Sequence, residues 1–380
     1  MNLAKHKGVA IIHGDNEYTY HDIIDQVAKY KGMLPGSGLP FILQSDYSLK
    51  SICLLIALHQ LGRVAVPIVP SVKSEDDYKI KVALSETYNA PCVVLFTSGT
   101  TGVPKIIKHN LDNLIARLKE PRRQKRLNIL LFLMFDHIGG INTLFSCLNN
   151  GSCAVITEDR NPETILQIIQ DKQINILPTT PTFLNLLLQV ENFNNYDISS
   201  LRLITYGTER MPQALLNKIR NMIPNARMLQ TFGTSESGIV RTESKSSDSL
   251  FFKILDDHSI IDGNLFINGL QTGDIVEVDN DGYIKVIGRN SDIINVGGLK
   301  VMPAEVENVI NEYPGVIDST AYGIDNAITG QAVGVSIVCN GGITKNDIRN
   351  WCADRLSRYK IPVKIIFKDT VKHTNRFKKA

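Results

Sequence analysis

No stretch of the 380-residue chain is apolar for long enough to cross a bilayer. Its most apolar helical run, SICLLIALHQLG, is interrupted by His59 and Gln60. The N-terminus MNLAKHKGVAIIHGD has basic residues but only a short apolar stretch, below what a signal-peptide core requires. Cysteines are few and dispersed. Cys53, Cys92, Cys147, Cys153, Cys339 and Cys352 include no close-set pair of zinc-finger or redox type. They read as small buried hydrophobes of a reducing compartment. An excess of one charge is also lacking: 41 Lys and Arg against 38 Asp and Glu leave a formal +3, which demands no nucleic-acid partner. The cluster Arg122, Arg123, Lys125 and Arg126, after Pro121, reads as a solvated loop. No repeat period is visible, and no biased segment exceeds Ser244–Ser249. With 43% apolar and 21% charged residues, the composition is that of a globular protein. The expectation is a cytoplasmic protein that engages neither membrane nor nucleic acid.

What is present is an alternation. Val93–Phe96 precedes a Gly/Thr loop, Ala154–Thr157 precedes Pro162–Gln170, and Leu201–Tyr206 precedes Ala214–Met222. Strand-like runs followed by helical patterns predict parallel sheets covered by helices. From Leu250 to Ile287 the pattern changes to short runs separated by Asp262-Gly263-Asn264, Asn268-Gly269 and Asn280-Asp281-Gly282. Such turns predict antiparallel hairpins, most clearly Ile275–Val278 and Tyr283–Ile287 about Asp281-Gly282. Pro303 opens a helix over Ala304–Tyr313 that stops at Pro314, and a second helix, Lys345–Leu356, lies between two strand-like runs. The expected fold class is α/β. A large N-terminal domain, residues 1–288, holds helix-covered sheets plus the hairpin-rich antiparallel region. A boundary at 289–292 then leads to a small α+β C-terminal domain, 293–380, of a size that can hold its own core.

The densest chemistry is Thr97-Ser98-Gly99-Thr100-Thr101-Gly102-Val103-Pro104-Lys105, directly after the buried-strand pattern Val93-Val94-Leu95-Phe96. Two glycines let the backbone turn sharply and bring amides close to a ligand. Four hydroxyls add donors, and concave arrays of N–H and O–H groups suit phosphate oxygens. Lys105 adds a fixed positive charge. The block does not end in Gly-Lys-Ser/Thr, so the P-loop pattern is disfavoured. Other residues suit the same ligand. Phe232 can stack on a purine or sit in a core. Glu236 is a hard oxygen donor for magnesium, or a solvated carboxylate at a helix start. Asp274 can accept from both hydroxyls of a ribose, or serve as a turn residue at a strand end. A lone histidine beside apolar residues, such as His137 in Phe135-Asp136-His137-Ile138-Gly139-Gly140, is by itself more often structural.

The block 97–105 resembles the signature loop of the adenylate-forming superfamily: acyl- and aryl-CoA ligases, peptide-synthetase adenylation domains and luciferase. Later segments follow in that family's order. Leu203-Ile204-Thr205-Tyr206-Gly207-Thr208-Glu209 resembles the strand and turn along the adenine. Thr231-Phe232-Gly233-Thr234-Ser235-Glu236 resembles the aromatic-Gly-x-Thr-Glu motif, with Ser235 keeping the hydroxyl of the usual threonine. Thr272-Gly273-Asp274 resembles the ribose-binding motif, and Gly288-Arg289 through Gly297-Gly298 with Pro303-Ala304-Glu305-Val306-Glu307 resembles the hinge and the start of the mobile domain.

The resemblance implies a two-step reaction. A carboxylic acid attacks magnesium ATP to give acyl-AMP and pyrophosphate, and the acyl group then passes to the thiol of CoA. It implies ATP contacts at Thr97 to Gly102, Lys105, Tyr206, Gly207, Thr208, Phe232, Ser235, Asp274 and Arg289. It also implies magnesium on Glu236, an acid pocket at His137, Tyr206 and Gly238, and a thiol channel at Gly297 and Gly298. The catalytic lysine is placed by Tyr359-Lys360-Ile361-Pro362 at Lys378, with Phe377 where the family has glycine and Lys379 beside it; a frayed basic tail is the other reading. Ser291 stands at the hinge position, and the segments before the loop and between Glu236 and Asp274 are short for the family. Two rivals are carried: an enzyme that loads a carrier-protein arm rather than free CoA and, resting on the unusual C-terminus and Ser291, a nucleotide-binding homologue that acts as a partner subunit.

Overall fold

The computed structural model describes residues 1–36, 38–44, 46–69, 73–89, 91–97, 105–118 and 126–370. They pack as two units. The first comprises Met1–Thr179, Val190–Thr205 and Gly233–Ile239; the second comprises Thr180–Gln189, Tyr206–Phe232 and the chain from Val240 onward.

In the first unit, strands of one sheet run in the order Ile176–Thr179, Asn128–Leu130, Cys153–Ile156, Val9–His13, Asn16–Thr19. Cys153–Ile156 is buried at every position and pairs in parallel with Asn128–Leu130 and Val9–His13, as a central strand covered on both faces should. The helix Tyr20–Met33 starts on a reciprocal cap. The Thr19 hydroxyl accepts from the Asp22 amide, and the Asp22 carboxylate accepts from the Thr19 amide at 2.7 Å. Leu49–Gln60, the run the sequence flagged as most apolar, is a core helix whose residues Ser51 to Leu58 are all buried. No helix among the described residues is long and apolar enough to cross a membrane.

A second sheet of this unit orders Phe41–Gln44, Val64–Ile68, Cys92–Thr97 and Lys105–Asn110. The first three strands are parallel, but the last is antiparallel to Cys92–Thr97. Parallel pairing needs a crossover of a dozen or more residues, and the connection from Thr97 to Lys105 is shorter than that. The helix-covered parallel strands expected from the sequence are present, with Lys105–Asn110 and Asn16–Thr19 as antiparallel additions.

The second unit holds the antiparallel region that the turn residues predicted. Its strands run Thr242–Ser244, Phe252–Ile254, Ile284–Arg289, Leu270–Val278, Asn264–Ile267, His258–Ile261. The two-residue turns Asp262-Gly263 (φ 49° and 76°) and Asn268-Gly269 (φ 50° and 76°) have positive φ at both positions, the geometry whose twist matches antiparallel strands. Farther along, Val316–Asn326 pairs antiparallel with Gly330–Cys339, which pairs in parallel with Lys364–Lys368. Val306, Ile310, Val335, Ile337, Ile348, Cys352 and Ile365 form their core. The two expected helices end sooner than the sequence suggested, as Pro303–Asn311 and Lys345–Ala353. In the second, the Arg355 and Leu356 amides share the Cys352 carbonyl in a last turn beyond the helix end at Ala353. All six cysteines are free thiols; five are buried and Cys339 is half-buried. Burial pushes the Cys53 thiol up to about 12, so it stays protonated.

Candidate functional site

The strand Cys92–Thr97 ends at Thr97, whose partner across the ladder is exposed Lys105. Ser98, Gly99, Thr100, Thr101 and Gly102, with Val103 and Pro104, lie outside the described residues, as does Lys378. The strand opened by Lys105 carries His109, which the sequence reading did not single out. Its ring lies beside the turn that joins Phe232–Thr234 to Gly238–Val240: a Cβ on Gly238 would stand 3.8 Å from both Cε1 and Nδ1. Its Nε2 is buried and has no hydrogen-bond partner among the described residues. Burial pushes the imidazole pKa down, while the Ser235 backbone and the Glu236 charge pull the other way. No local pattern marks His109, because only the pairing of its strand brings it to the turn.

That turn is held by its own side chains. The Thr234 amide donates to Ser237 Oγ at 3.3 Å and the Ser237 amide to Thr234 Oγ1 at 3.0 Å. It leaves Ser235 half-buried, Gly238 buried and Glu236 exposed. Glu236 therefore sits in a hairpin turn and not at a helix start.

His137 begins the helix Ile138–Asn149 as its N-cap: the Gly139 amide donates to Nδ1 at 3.1 Å. A ring nitrogen that accepts is unprotonated, so in the neutral ring the proton is on Nε2. Caps are usually Ser, Thr, Asp or Asn, so no capping signal is legible here. His137→Ala should lower stability by about 1 kcal/mol, read from the urea midpoint. An unchanged midpoint with lost acid activation would instead assign the ring to the acid pocket alone.

In the second unit, Tyr206 is 1% exposed and its hydroxyl donates to Gln230 Oε1 at 3.4 Å. Burial raises its phenol pKa. Beside it, Gly207 is fixed by close approach: a Cβ there would lie 2.7 Å from the Thr231 carbonyl oxygen and closer still to its Oγ1. Thr208 follows with φ of 68°, a left-handed conformation that a β-branched side chain rarely adopts, and its side chain is exposed. Glu209 then accepts from the Thr182 amide at 3.2 Å, so packed neighbours pin the turn at both ends of the strained residue. Phe232 stacks on Phe252 with ring centroids 6.0 Å apart.

Asp274 lies within the strand Leu270–Val278 and is 6% exposed. Its Oδ1 accepts from Arg289 Nε at 3.0 Å, and its amide donates to Thr272 Oγ1 at 3.1 Å. Burial raises the carboxyl pKa, and Arg289 offsets part of that. Gly297 and Gly298 form the exposed turn between Ile294–Val296 and Leu299–Val301; the Gly297 amide donates to the Thr329 carbonyl at 2.9 Å. The structure thus joins Asp274 to Arg289 and Gly207 to Thr231 in one unit, and the Lys105 strand to the Glu236 turn in the other.

A helix-covered sheet carrying these motifs, followed by the smaller α+β body, is the architecture of adenylate-forming enzymes. The AMP-binding enzyme family model matches residues 73–251, and the AMP-binding enzyme C-terminal domain matches 305–378, together more than half of the chain. The chain belongs to the adenylate-forming family of AMP-binding enzymes. It is similar to YdaB of Bacillus subtilis (strain 168), which carries an acyl-CoA ligase name, with 30% identity over 315 residues, 71% of this chain and 62% of that protein. It is 25% identical to the 2-succinylbenzoate–CoA ligase of Staphylococcus aureus (strain MRSA252), over 74% of this chain and 64% of that protein. The chain thus spans less than two thirds of the length of these relatives. Its fold matches the crystal structure of ATP-bound MatB from Rhodopseudomonas palustris with a TM-score of 0.81 at 17% identity, covering 99% of this chain and 94% of that one.

Proposed function

We propose that the chain is an AMP-forming acid–thiol ligase of the acyl- or aryl-CoA synthetase type. Its first step joins a small carboxylic acid to the α-phosphate of ATP and releases pyrophosphate; its second passes the acyl group to the thiol of CoA. The observation that supports this most is Asp274. A buried carboxylate in Thr272-Gly273-Asp274, pushed toward its neutral form and bonded by a mostly exposed arginine, is a costly feature for a fold to keep without a ligand. Two ribose hydroxyls would add donors beside the one that Arg289 supplies.

The remaining roles follow the motif order. The block from Thr97 through Ser98, Gly99, Thr100, Thr101 and Gly102 to Lys105 takes the ATP phosphates. Tyr206, Gly207 and Thr208 lie along the base, Phe232 and Ser235 flank it, and Arg289 stays with Asp274. Glu236 is a single exposed carboxylate, the kind of donor that magnesium accepts when substrate phosphates complete its shell. When bound, magnesium offsets charge on the phosphate oxygens. His137, Tyr206 and Gly238 border the acid. In this reading residues 1–288 bind ATP and acid, and 293–380 turn about a hinge at 289–292. That motion brings Lys378 to the first step and Gly297-Gly298 to the second. The setting is cytoplasmic.

Pyrophosphate release against a panel of acids, with and without CoA, tests the reading. Acid-dependent release that CoA accelerates is expected. Acceleration by a holo carrier protein in place of CoA would favour the carrier-loading reading, and no release with any acid would favour a nucleotide-binding partner subunit.

A further inference from the structure

Arg210 is the residue after Glu209, at the end of the turn that the proposed function assigns to the adenine. Its guanidinium reaches 97 residues along the chain to the helix Pro303–Asn311. Nη2 donates to Glu307 Oε2 at 2.9 Å, and Nη1 donates to Asn308 Oδ1 at 3.0 Å. Both charged side chains are largely withdrawn from water, 18% and 14% exposed. The carboxylate is engaged on its other side as well, where Glu307 Oε1 accepts the Ala321 amide at 3.0 Å. Arg210 thus grips a carboxylate that the C-terminal body itself holds in place. The grip is not needed for that body to close its own core, because Ala304, Val306 and Ile310 already bury the helix. All of these residues belong to the second unit.

We propose that Arg210, Glu307 and Asn308 form a conformational latch, which ties the helix Pro303–Asn311 to the turn at Gly207 in one arrangement of the C-terminal body and must open before another. The inference rests on the alternation described above. A planar guanidinium bonded to two acceptors is specific to one geometry. Rotation about 289–292 separates the partners, so the latch biases the balance between arrangements by its differential contact alone. Arg210 is a positioning residue here. It sets which half-reaction the enzyme is poised for without contacting the reacting atoms.

The test uses the full chain with Arg210→Met and, separately, Glu307→Gln, which keeps an oxygen for the Ala321 amide. Pyrophosphate exchange reads the first half-reaction, and thioester formation from preformed acyl-AMP reads the second. Either variant should shift the ratio of the two rates at least about fivefold, with the rates moving in opposite directions. Rates that fall together, or that do not change, overturn the latch. Hydrogen exchange supplies an arm independent of activity. Amides 303–311 should exchange at least about fivefold faster in Arg210→Met, while those of Gly330–Cys339 keep their wild-type rates. No local rise, or a rise spread over the whole C-terminal body, overturns the latch even where no acid is activated. Absence of both half-reactions in the wild-type chain, with the local rise present, overturns the ligase reading and leaves the latch standing.

Discussion

Asp274→Asn should weaken AMP and ATP binding about ten- to a hundredfold while leaving the free protein at least as stable as the wild type. The affinity loss follows from the ribose reading, since hydrogen bonds to a charged group are worth about 1.5–3 kcal/mol. Stability behaves differently because of the surroundings. The Asp274 side chain is 9% exposed, whereas that of its partner Arg289 is 58% exposed and can return to water. Burial raises the Asp274 pKa above its value in the unfolded chain, so the folded state holds the proton more tightly. The sign is then fixed: the free wild-type protein gains stability as pH falls from neutral through the raised folded pKa, and asparagine removes that slope. Calorimetric titration of AMP at pH 7, with urea denaturation between about pH 7 and 4, measures both effects. Undiminished AMP affinity would remove the ribose role, and a large loss of stability would make Asp274 a structural ion pair.

The burial of Asp274 was not legible in the sequence, and the reason is physical. Thr272-Gly273-Asp274 carries turn chemistry, which is local, but whether a turn-like triplet lies at a strand end or within a strand depends on pairing. Here the neighbours Asn264–Ile267 and Ile284–Arg289 extend the strand to Leu270–Val278 and enclose the carboxylate. The hairpins about Asp262-Gly263 and Asn268-Gly269 were legible because positive φ selects its residues one position at a time. Buried strands such as Cys153–Ile156 were legible from their continuous apolar runs. Lys105–Asn110 was not, since its sequence KIIKHN shows neither alternation nor a long apolar run. The same limit hid His109 and Arg210, whose partners come from distant parts of the chain. His137 stood out in the sequence, yet its capping bond is invisible there, because histidine is an unusual N-cap.

Lys378→Ala should lower the first half-reaction about a hundred- to a thousandfold. The residue lies outside the described part of the chain, and its assignment comes from the sequence, nineteen residues after Tyr359. The C-terminal domain match extends to residue 378. A cation is needed where the acid carboxylate and the α-phosphate meet, because both bring negative oxygens into a transition state that water does not screen. One preorganised donor at such a point is worth about 2.7–4 kcal/mol, which sets the size of the effect. Thioester formation from preformed acyl-AMP should be almost unchanged, because a lysine serving only the first step has swung away by the second. Lys379→Ala is the control for a generally basic tail, and it should change either rate little. Single-turnover measurement of acyl-AMP formation, alongside thioester formation from supplied acyl-AMP, separates the two steps. Equal and mild losses in both lysine variants would mean that the tail acts by charge alone. A wild-type rate in Lys378→Ala would place the essential cation elsewhere, and Lys105, at the start of its strand, would be the next residue to replace.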